Sequence, residues 1–460
     1  MGAFNRMSKE VKVALLMAAS LFMEMMDGTI VTTALPRMAK YFQTGSATVA
    51  LLVSIYLITV AIFIPLSGWL SDRFGKKRMW LFAVGLFTLS SLGSALAPTF
   101  GILLAMRVIQ GISGAMMTPT ARLIVLEKTA SAQLLRMTSY LVWPSLIAPA
   151  IAPLIGGLIV TWLNWRWIFL INLPMGIIII LIGIFLINRD QRPVTTRQFD
   201  VVGFTEIAIG SGLVLAGAEI ATHGRSQWGV AVLMVSIGTG MLILSYFHLR
   251  QAENPLFSVS SLRIESFRFT QTGDSVLWLS VGAMPYLMTV YLQTIFQWSP
   301  VKASGFVIFI FLGNIGIKPF TTPIIRTFKY RGALFSAFLM VMVSAFCLAL
   351  INTTTWPWVI ALLAFVSGVG RSLALTAYNG LTFADVPLDE RNSANTLTAV
   401  IMTLAQGLGV SLITVIVSVF SALIPLEHAY QLGFVFLGLL MFWPMFELMT
   451  VSHNIGESTI

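Results

Sequence analysis

Long apolar blocks separated by short polar connections dominate this chain. A helix that crosses a bilayer needs ~20 consecutive, mostly apolar residues. Fourteen blocks have this character, at roughly residues 12–34, 47–70, 79–97, 99–122, 137–161, 166–188, 201–221, 227–249, 268–296, 303–325, 332–351, 356–384, 393–424 and 428–451. They are too long and too evenly apolar for the alternating strands of a membrane barrel. The pattern therefore predicts an all-α membrane protein with fourteen transmembrane helices.

Composition supports the same class. Of the 460 residues, 57% are hydrophobic and only 10% are charged, and the mean hydropathy is +0.88. A soluble domain carries about 25% charged residues, so this chain has too few charges to cover a water-facing surface. The first apolar block is too long for a signal peptide and is expected to be retained. The single cysteine, Cys347, excludes an internal disulfide.

The net charge of +10 is distributed unevenly between the two sides of the predicted membrane. Of 28 lysines and arginines, 20 fall on the side of the N-terminus, Arg122 and Arg391 among them, and five fall on the other side. Basic residues favour the cytoplasmic side, so both termini are predicted to be cytoplasmic. This asymmetry explains the basic charge without nucleic acid as a partner. It also favours contacts with anionic lipid headgroups.

Weak internal similarity divides the chain into two halves. The segment "GWLSDRFGKKRMW" after the second block is echoed about 254 residues later by "TPIIRTFKYRGAL". "QGISGAMMTP" is similarly echoed by "SGVGRSLALTAYNG". Such repeats are typical of transporters built from two parallel halves. We therefore expect an N-terminal six-helix bundle in residues 1–198, two additional transmembrane helices in 199–250, and a C-terminal six-helix bundle in 251–460.

Charged residues inside the apolar blocks are the first candidates for function. Glu24 and Asp27 lie in the first block, within the stretch "MEMMDGTIVTTALP", and Arg107 lies in the fourth. A charge at the bilayer centre costs at least ~2.5 kcal/mol, so a polar cavity between the halves is expected. At 1.5 Å per residue, Asp27 and Arg107 share a level and can pair. The pair either fixes helix packing only or couples protonation to gating.

Glu24 and Asp27 are spaced to share one helix face. Repulsion between two carboxylates so close favours protonation of one of them, so both are candidate proton carriers. The alternative for Glu24 is a protonated side chain that donates a hydrogen bond to a neighbouring helix.

A second group of polar residues lies deeper in the later blocks. Asp274, Lys318 and Arg371 are expected at a similar level. The two bases are either satisfied by Asp274 and backbone carbonyls or hold an anionic substrate group. Asn314, Asn379 and Gln406 are expected to line the same cavity. The sequence shows neither metal-ligand spacing, nor a phosphate-binding loop, nor a nucleophile–base set, so an enzyme, a metal and a cofactor are not expected.

Several segments together resemble the major facilitator superfamily over nearly the whole chain. "MDGTIVTTALP", "LLAMRVIQGISGAMMTP", "APAIAPLIGGL" and "NWRWIFLINLPMG" are similar to motifs of its fourteen-span drug:proton antiporter family, the EmrB/QacA-like group. "GWLSDRFGKKR" resembles the superfamily's signature loop. "GIKPF" and "GRSLALTAYNGLT" resemble the MdtD-like multidrug exporters within that family.

The resemblance assigns roles to two segments. The signature loop is expected to control gating by holding the halves together in the outward-facing state, through Gly68, Asp72, Arg73, Gly75, Lys76 and Lys77. A purely topogenic basic loop is the alternative. The antiporter motif corresponds to Pro149, Pro153, Gly156 and Gly157. It departs from the family at Ala148 and Ala152, where glycine is usual.

The resemblance implies a proton-coupled secondary exporter, an antiporter of small organic compounds that acts in multidrug efflux by alternating access. The expected setting is a bacterial inner membrane, with protons, substrate and membrane lipids as partners, a monomeric state, and the proton gradient as the only energy source. Lys318 and Arg371 suggest as an alternative an exporter of an anionic metabolite, such as an organic acid or a siderophore-like chelator. A lipid flippase is a further alternative.

Overall fold

The computed structural model describes residues 8–127, 129, 134–188, 198–452 and 455–456, and every long element within them is a helix. The N-terminal half contains α1 Lys9–Phe42, α2 Ser46–Phe63, α3 Leu66–Phe74, α4 Lys76–Leu96, α5 Phe100–Glu127, α6 Leu134–Trp162, α7 Trp167–Leu170 and α8 Asn172–Leu186. Two helices follow, α9 Val201–Ala221 and α10 Trp228–Gln251. The C-terminal half contains α11 Glu265–Thr294, α12 Pro300–Gly316, α13 Lys318–Ala349, α14 Pro357–Thr382, α15 Arg391–Ser421, α16 Leu426–Leu440 and α17 Phe442–Thr450.

These helices confirm a multi-pass membrane protein. Eleven helical segments in the described residues are long and apolar enough to cross a bilayer, and the total is twelve when α2 and α3, bent by 58° at their junction, count as one span. The 29-residue α6 and the 17-residue α12 occupy the fifth and tenth apolar blocks of the sequence.

Two sharp breaks in the backbone are related by the internal repeat. Gly75 ends α3 and precedes α4 with φ 89° and ψ 143°. Lys329 interrupts α13 with φ 57° and ψ 173°. The two positions are 254 residues apart, the offset that the repeat predicts. Each break is a residue of positive φ between two helical stretches, so the echo in sequence corresponds to an echo in backbone conformation.

The two inserted helices pack on each other at the side of the molecule. Helix α9 contacts α2 of the first half and α15 of the second, whereas α10 packs mainly on α9. Helix α10 is the least buried of the eleven candidate spans. At one end of this pair, Asp200 accepts hydrogen bonds from the backbone of Gly203 and Leu256 and pairs with His248 at 2.9 Å. These contacts attach the inserted pair to the start of the C-terminal half.

The apolar core shows where the two halves meet. We call the inner end the end of the bundle that carries Gly75, Lys329 and Arg391. A cluster near this end combines both halves, with Ile124 and Leu126 packed in the same core as Phe383 and Leu397. The clusters at the opposite, outer end each belong to one half only. The halves are therefore joined by a shared apolar core at the inner end and have separate cores at the outer end.

Candidate functional site

A buried ion pair joins the first and fourth predicted spans. Arg107 Nη1 lies 2.6 Å from Asp27 Oδ2, and both side chains are fully buried. Arg107 also donates to the carbonyl of Leu52 at 3.1 Å and to Gln110 Oε1 at 2.8 Å. The pairing expected from their depth is present in the structure. A charged pair in this environment is stable only when further hydrogen bonds satisfy both partners.

Asp27 is held by two amides as well as by Arg107. Its Oδ1 accepts from Asn172 Nδ2 at 2.7 Å and from Gln110 Nε2 at 3.3 Å. Both amides also donate to Ser91 Oγ. The network thus connects α1, α4, α5 and α8. Its many donors fit the ionised form of Asp27, and loss of that charge would remove the partner of Arg107.

Glu24 lies beside this network and has its own partners. The hydroxyl of Thr118 donates to Glu24 Oε2, and the hydroxyl of Tyr56 also hydrogen-bonds Glu24. The ring of Tyr56 lies under Arg107, with 4.4 Å between the ring centroid and Cζ. Tyr56 therefore touches both the second carboxylate and the cation. This arrangement brings the two carboxylates into one connected cluster, as their spacing in the sequence predicts.

A glycine makes room for the contact between Tyr56 and Glu24. A Cβ atom added at Gly114 would lie 3.0 Å from the Tyr56 hydroxyl and 3.1 Å from Glu24 Oε1. These separations are tighter than ordinary van der Waals contact. Helix α5 therefore approaches the pair closely because position 114 has no side chain.

Asp274 has a different partner from the one its depth suggested. Its Oδ2 accepts from Trp278 on the same helix at 3.3 Å, and its Oδ1 is buried with no hydrogen bond. Its carboxylate interacts electrostatically with Arg122 of the first half. Helix α5 continues to Glu127 and buries the side chain of Arg122 to 8% exposure. Arg122 and Asp274 thus bring opposite charges together across the two halves.

Lys318 and Arg371 interact with neutral oxygens. Lys318 Nζ donates to Thr376 Oγ1 at 2.7 Å. Arg371 Nη2 donates to both the carbonyl and the hydroxyl of Ser280 at 3.0 Å, and its Nε has no partner. Within the described residues neither base is paired with a carboxylate. Both are buried, so a positive charge on either would be offset only by the dipoles of neutral groups.

The three predicted polar residues of the cavity differ in their surroundings. Asn314 is buried, and its Oδ1 has no hydrogen-bond partner. Asn379 donates to the carbonyl of Leu375 in its own helix at 2.7 Å. Gln406 is exposed on α15. The structure therefore places only Asn314 as a buried residue with an unused acceptor.

The signature loop lies at the inner junction of the halves. Asn392 donates to the carbonyl of Gly68 at 3.3 Å, and a Cβ at Gly68 would collide with Thr396. The close approach expected at Gly68 and the turn expected at Gly75 are both present. Asp72, Arg73 and Lys76 each take part in further interactions.

Lys77 of the signature loop binds the end of a helix in its own half. It donates to the carbonyls of Ile184 and Ile187, each at 2.6 Å. These carbonyls lie at the end of α8, where cations are favourable. Lys77 therefore stabilises a helix terminus within its own half.

Arg391 and Asn395 add to the junction in a way that the sequence did not suggest. Arg391 Nη1 donates to the carbonyls of Leu126 and Thr129, at 3.1 and 3.2 Å. Asn395 donates to the carbonyl of Pro119 at 2.9 Å. Arg391 is 4% exposed, and its two hydrogen bonds satisfy carbonyls at the end of α5. The second half thus supplies donors to unpaired carbonyls of the first.

The antiporter motif packs α6 against α1. A Cβ at Gly156 would collide with Thr33 and Ile30, whereas Gly157 has open space around it. Ala148 and Ala152 are fully buried, so small residues serve where the family has glycine. Pro149 is partly buried, and the side chain of Pro153 lies outside the described part of the chain.

The chain is similar to known proteins along most of its length. The sequence profile described as Major Facilitator Superfamily matches residues 17–410. A protein of Pectobacterium carotovorum named "Putative multidrug resistance protein MdtD" is 33% identical over 411 residues, covering 88% of this chain and 87% of that protein. The protein of the same name in Salmonella paratyphi A is 33% identical over 406 residues, covering 88% of this chain and 86% of that protein.

A solved structure shares the fold. The crystal structure of the human organic anion transporter MFSD10 (TETRAN) superposes with a TM-score of 0.70, covering 96% of this chain and all of that one. The two sequences are 14% identical, so the likeness concerns the fold alone.

Proposed function

Because the chain belongs to the Major Facilitator Superfamily, we propose that it is a proton-coupled antiporter that exports small organic compounds, as a multidrug efflux protein of a bacterial inner membrane. The observation that carries the proposal is the buried pair of Asp27 and Arg107, with Glu24 next to it. The names of the related bacterial proteins support drug export. We propose a monomer that needs no cofactor.

The network suggests how a proton would drive the cycle. Protonation of Asp27 removes the negative charge that holds Arg107 and leaves its donors to find other acceptors. Tyr56 contacts both Glu24 and Arg107, so a change in the charge of one carboxylate alters the surroundings of the other. A proton that binds one conformation more tightly shifts the population toward it. Coupling follows if substrate and proton favour different conformations.

The fold supports alternating access between the two halves. We propose fourteen spans, with α6, α12 and the bent pair α2–α3 completing the set, and with both termini in the cytoplasm. The shared apolar core at the inner end then closes the cytoplasmic side. Gly68, Gly75 and the basic loop around them stabilise this closed, outward-facing arrangement together with Arg391 and Asn395.

Transport into inverted membrane vesicles with an imposed pH gradient tests the proposal. Cationic drugs should accumulate and should release part of the pH gradient. Asp27→Asn should abolish proton-driven accumulation while leaving exchange of substrate for substrate. Glu253→Gln, at an exposed loop carboxylate, is the matched control. Proton-driven accumulation by Asp27→Asn at the rate of the control would end the proposal.

Export of an anion is a second candidate, because Lys318 and Arg371 bind neutral oxygens only, among the residues that the structure describes. A carboxylate of the substrate would supply the missing charge. The same vesicle assay with organic acids decides between the two. Lys318→Ala and Arg371→Ala should each reduce anion transport, and unchanged transport of every anion tested excludes this version.

A further inference from the structure

A basic cavity lies at the inner end, between the inserted helices and the C-terminal half. Its volume is about 300 Å³, and it is lined by Tyr246, Leu249, Arg250, Ser258, Val259, Ser260, Leu262, Arg263 and Arg268. Three of these nine residues are arginines, and none is acidic. The transport cycle proposed above uses none of them.

The polar groups of this cavity suit a phosphate. Arg250, Arg263 and Arg268 come from three different segments, the end of α10, the turn Ser260–Arg263 and the first turn of α11. Arginine presents several N–H donors that match phosphate oxygens, and hydrogen bonds to charged oxygens are stronger than neutral ones. Ser258 donates to Ser260 at 2.7 Å and Ser260 donates to Glu390, so the arginines are the donors that remain for a phosphate.

The surroundings favour a lipid as the source of this phosphate. Three of the lining residues, Tyr246, Leu249 and Arg250, belong to α10, the least buried of the candidate spans. Ile243, Leu244 and Phe247 are exposed on α10 within two turns of Arg250, so an apolar surface begins where the basic one ends. Tyr246, 40% exposed, lies one turn before Arg250, at the depth where aromatic side chains meet the headgroup layer.

We propose that this cavity binds the phosphate of an anionic phospholipid, whose acyl chains lie along α10. The headgroup contacts the arginines, and the apolar residues of α10 contact the chains. Basic cavities between transmembrane helices on the cytoplasmic side are suited to such headgroups. The site gives the two inserted helices a role that is distinct from the substrate path.

Ser260, a lining residue of the cavity, is linked by a hydrogen bond to the segment that precedes α15. Ser260 and Ser261 donate to Glu390 Oε2 at 2.9 and 3.1 Å. The next residue, Arg391, donates to the end of α5. A bound lipid therefore orders the segment that holds the inner end closed. This consequence rests on the proposed alternating access, whereas the binding of lipid does not.

Lipid binding to the purified chain tests the site. Native mass spectrometry would compare phosphatidylglycerol, phosphatidylcholine and inorganic phosphate as ligands. Arg250→Ala/Arg263→Ala should weaken phosphatidylglycerol binding by about 30-fold, since each basic side chain near an anionic surface contributes roughly fivefold. The matched control is Arg37→Ala/Arg326→Ala, which removes two exposed arginines that do not line the cavity and should retain binding within about twofold. Thermal unfolding checks that both double variants are folded.

Three results would overturn the site: equal losses in the two double variants, equal binding of the two lipids, or binding of inorganic phosphate without lipid. Hydrogen exchange of residues 391–400 gives a second, independent readout. Phosphatidylglycerol should slow exchange there in the wild type and in the control, but not in Arg250→Ala/Arg263→Ala. Normal lipid binding without this slowing refutes the link to the junction and leaves the site intact.

Discussion

At the scale of single residues, Gly114 controls the contact between Tyr56 and Glu24. Gly114→Ala places a methyl group about 3 Å from both polar atoms, so one of them must move. We expect a loss of ~1–3 kcal/mol in the free energy of unfolding, typical of overpacking, and slower proton-driven transport. Gly101→Ala lies on the same helix with open space around it and should change stability by less than ~0.5 kcal/mol. Thermal unfolding in detergent compares the two, and equal values would contradict the contact.

The contributions of Arg122 and Asp274 to the free energy of unfolding should depend on each other. Removing one of two interacting buried charges leaves the other uncompensated, which destabilises the fold. Arg122→Gln and Asp274→Asn should therefore each destabilise more than the double variant does. The control is a second double-mutant cycle, in which Lys318→Gln takes the place of Arg122→Gln. Lys318 suits this purpose because it donates to Thr376 rather than to Asp274. Lys318→Gln and Asp274→Asn should be additive within ~0.5 kcal/mol, and additivity in both cycles would refute the pairing.

The sequence predicts charged members of the site better than neutral ones. Asp27 and Arg107 could be identified because a charge inside an apolar block needs a partner at its own depth. Tyr56, Gln110 and Asn172 carry no charge, so their role appears only when the helices are packed. The one signal was their position in spans that also carry family motifs. Arg122 was missed because a base near the end of an apolar block is typical of a loop.

At the scale of helices, the break at Lys329 is strained in a way that predicts an unusual substitution. Its φ of 57° and ψ of 173° lie in a region that glycine occupies almost alone. Lys329→Gly and Lys329→Ala both remove the side chain and its contacts, but only glycine relieves the backbone. The glycine variant should be more stable than the alanine variant by ~1–2 kcal/mol.

Chemical denaturation of the two Lys329 variants measures this difference. Within a regular helix glycine is less stable than alanine by ~0.5–1 kcal/mol, so the expected sign is the reverse of the usual one. The repeat supplies a second comparison, since Gly75→Ala should destabilise the corresponding break in the first half. A glycine variant no more stable than the alanine variant would show that the break carries no strain.

The helices themselves follow closely from the hydrophobic pattern, and their breaks do not. The described helices occupy the fourteen apolar blocks, because block length and the bilayer thickness dictate where helices form. The hydrophobic pattern does not specify the 58° bend between α2 and α3, where Pro65 interrupts the helical hydrogen bonds. It also gives no turn signal at position 329, because the internal repeat aligns a lysine there with Gly75 of the first half.

At the scale of the whole molecule, the conformation depends on contacts between residues far apart in the chain. The joined core at the inner end combines residues such as Leu126 and Phe383, more than two hundred positions apart. Composition and periodicity carry no information about such pairs, so the sequence predicts two halves but not which end is closed. The polar contacts of Arg391 and Asn395 reinforce the apolar ones at that end. The conformational balance is therefore sensitive to a few hydrogen bonds.

Removing these hydrogen bonds should open the inner end. Arg391 makes two hydrogen bonds from a charged donor, which contribute ~1.5–3 kcal/mol each. Even the lower value changes the ratio of the two conformations by about tenfold. Spin labels at Lys40 and Thr353, in a Cys347→Ser background, report the distance between the halves at the outer end. Arg391→Ala should add a population with a shorter distance, because the outer end closes as the inner end opens.

The exposed Asp389 provides the control for this measurement. Asp389→Ala changes the charge of the same connection without touching α5, so its distance distribution should match that of the parent. Asn395→Ala should shift the distribution in the same direction as Arg391→Ala but less, since it loses one hydrogen bond from a neutral donor. If all three variants share one distribution, the contacts of α15 with α5 do not set the conformational balance, and the closed inner end depends on the apolar core alone.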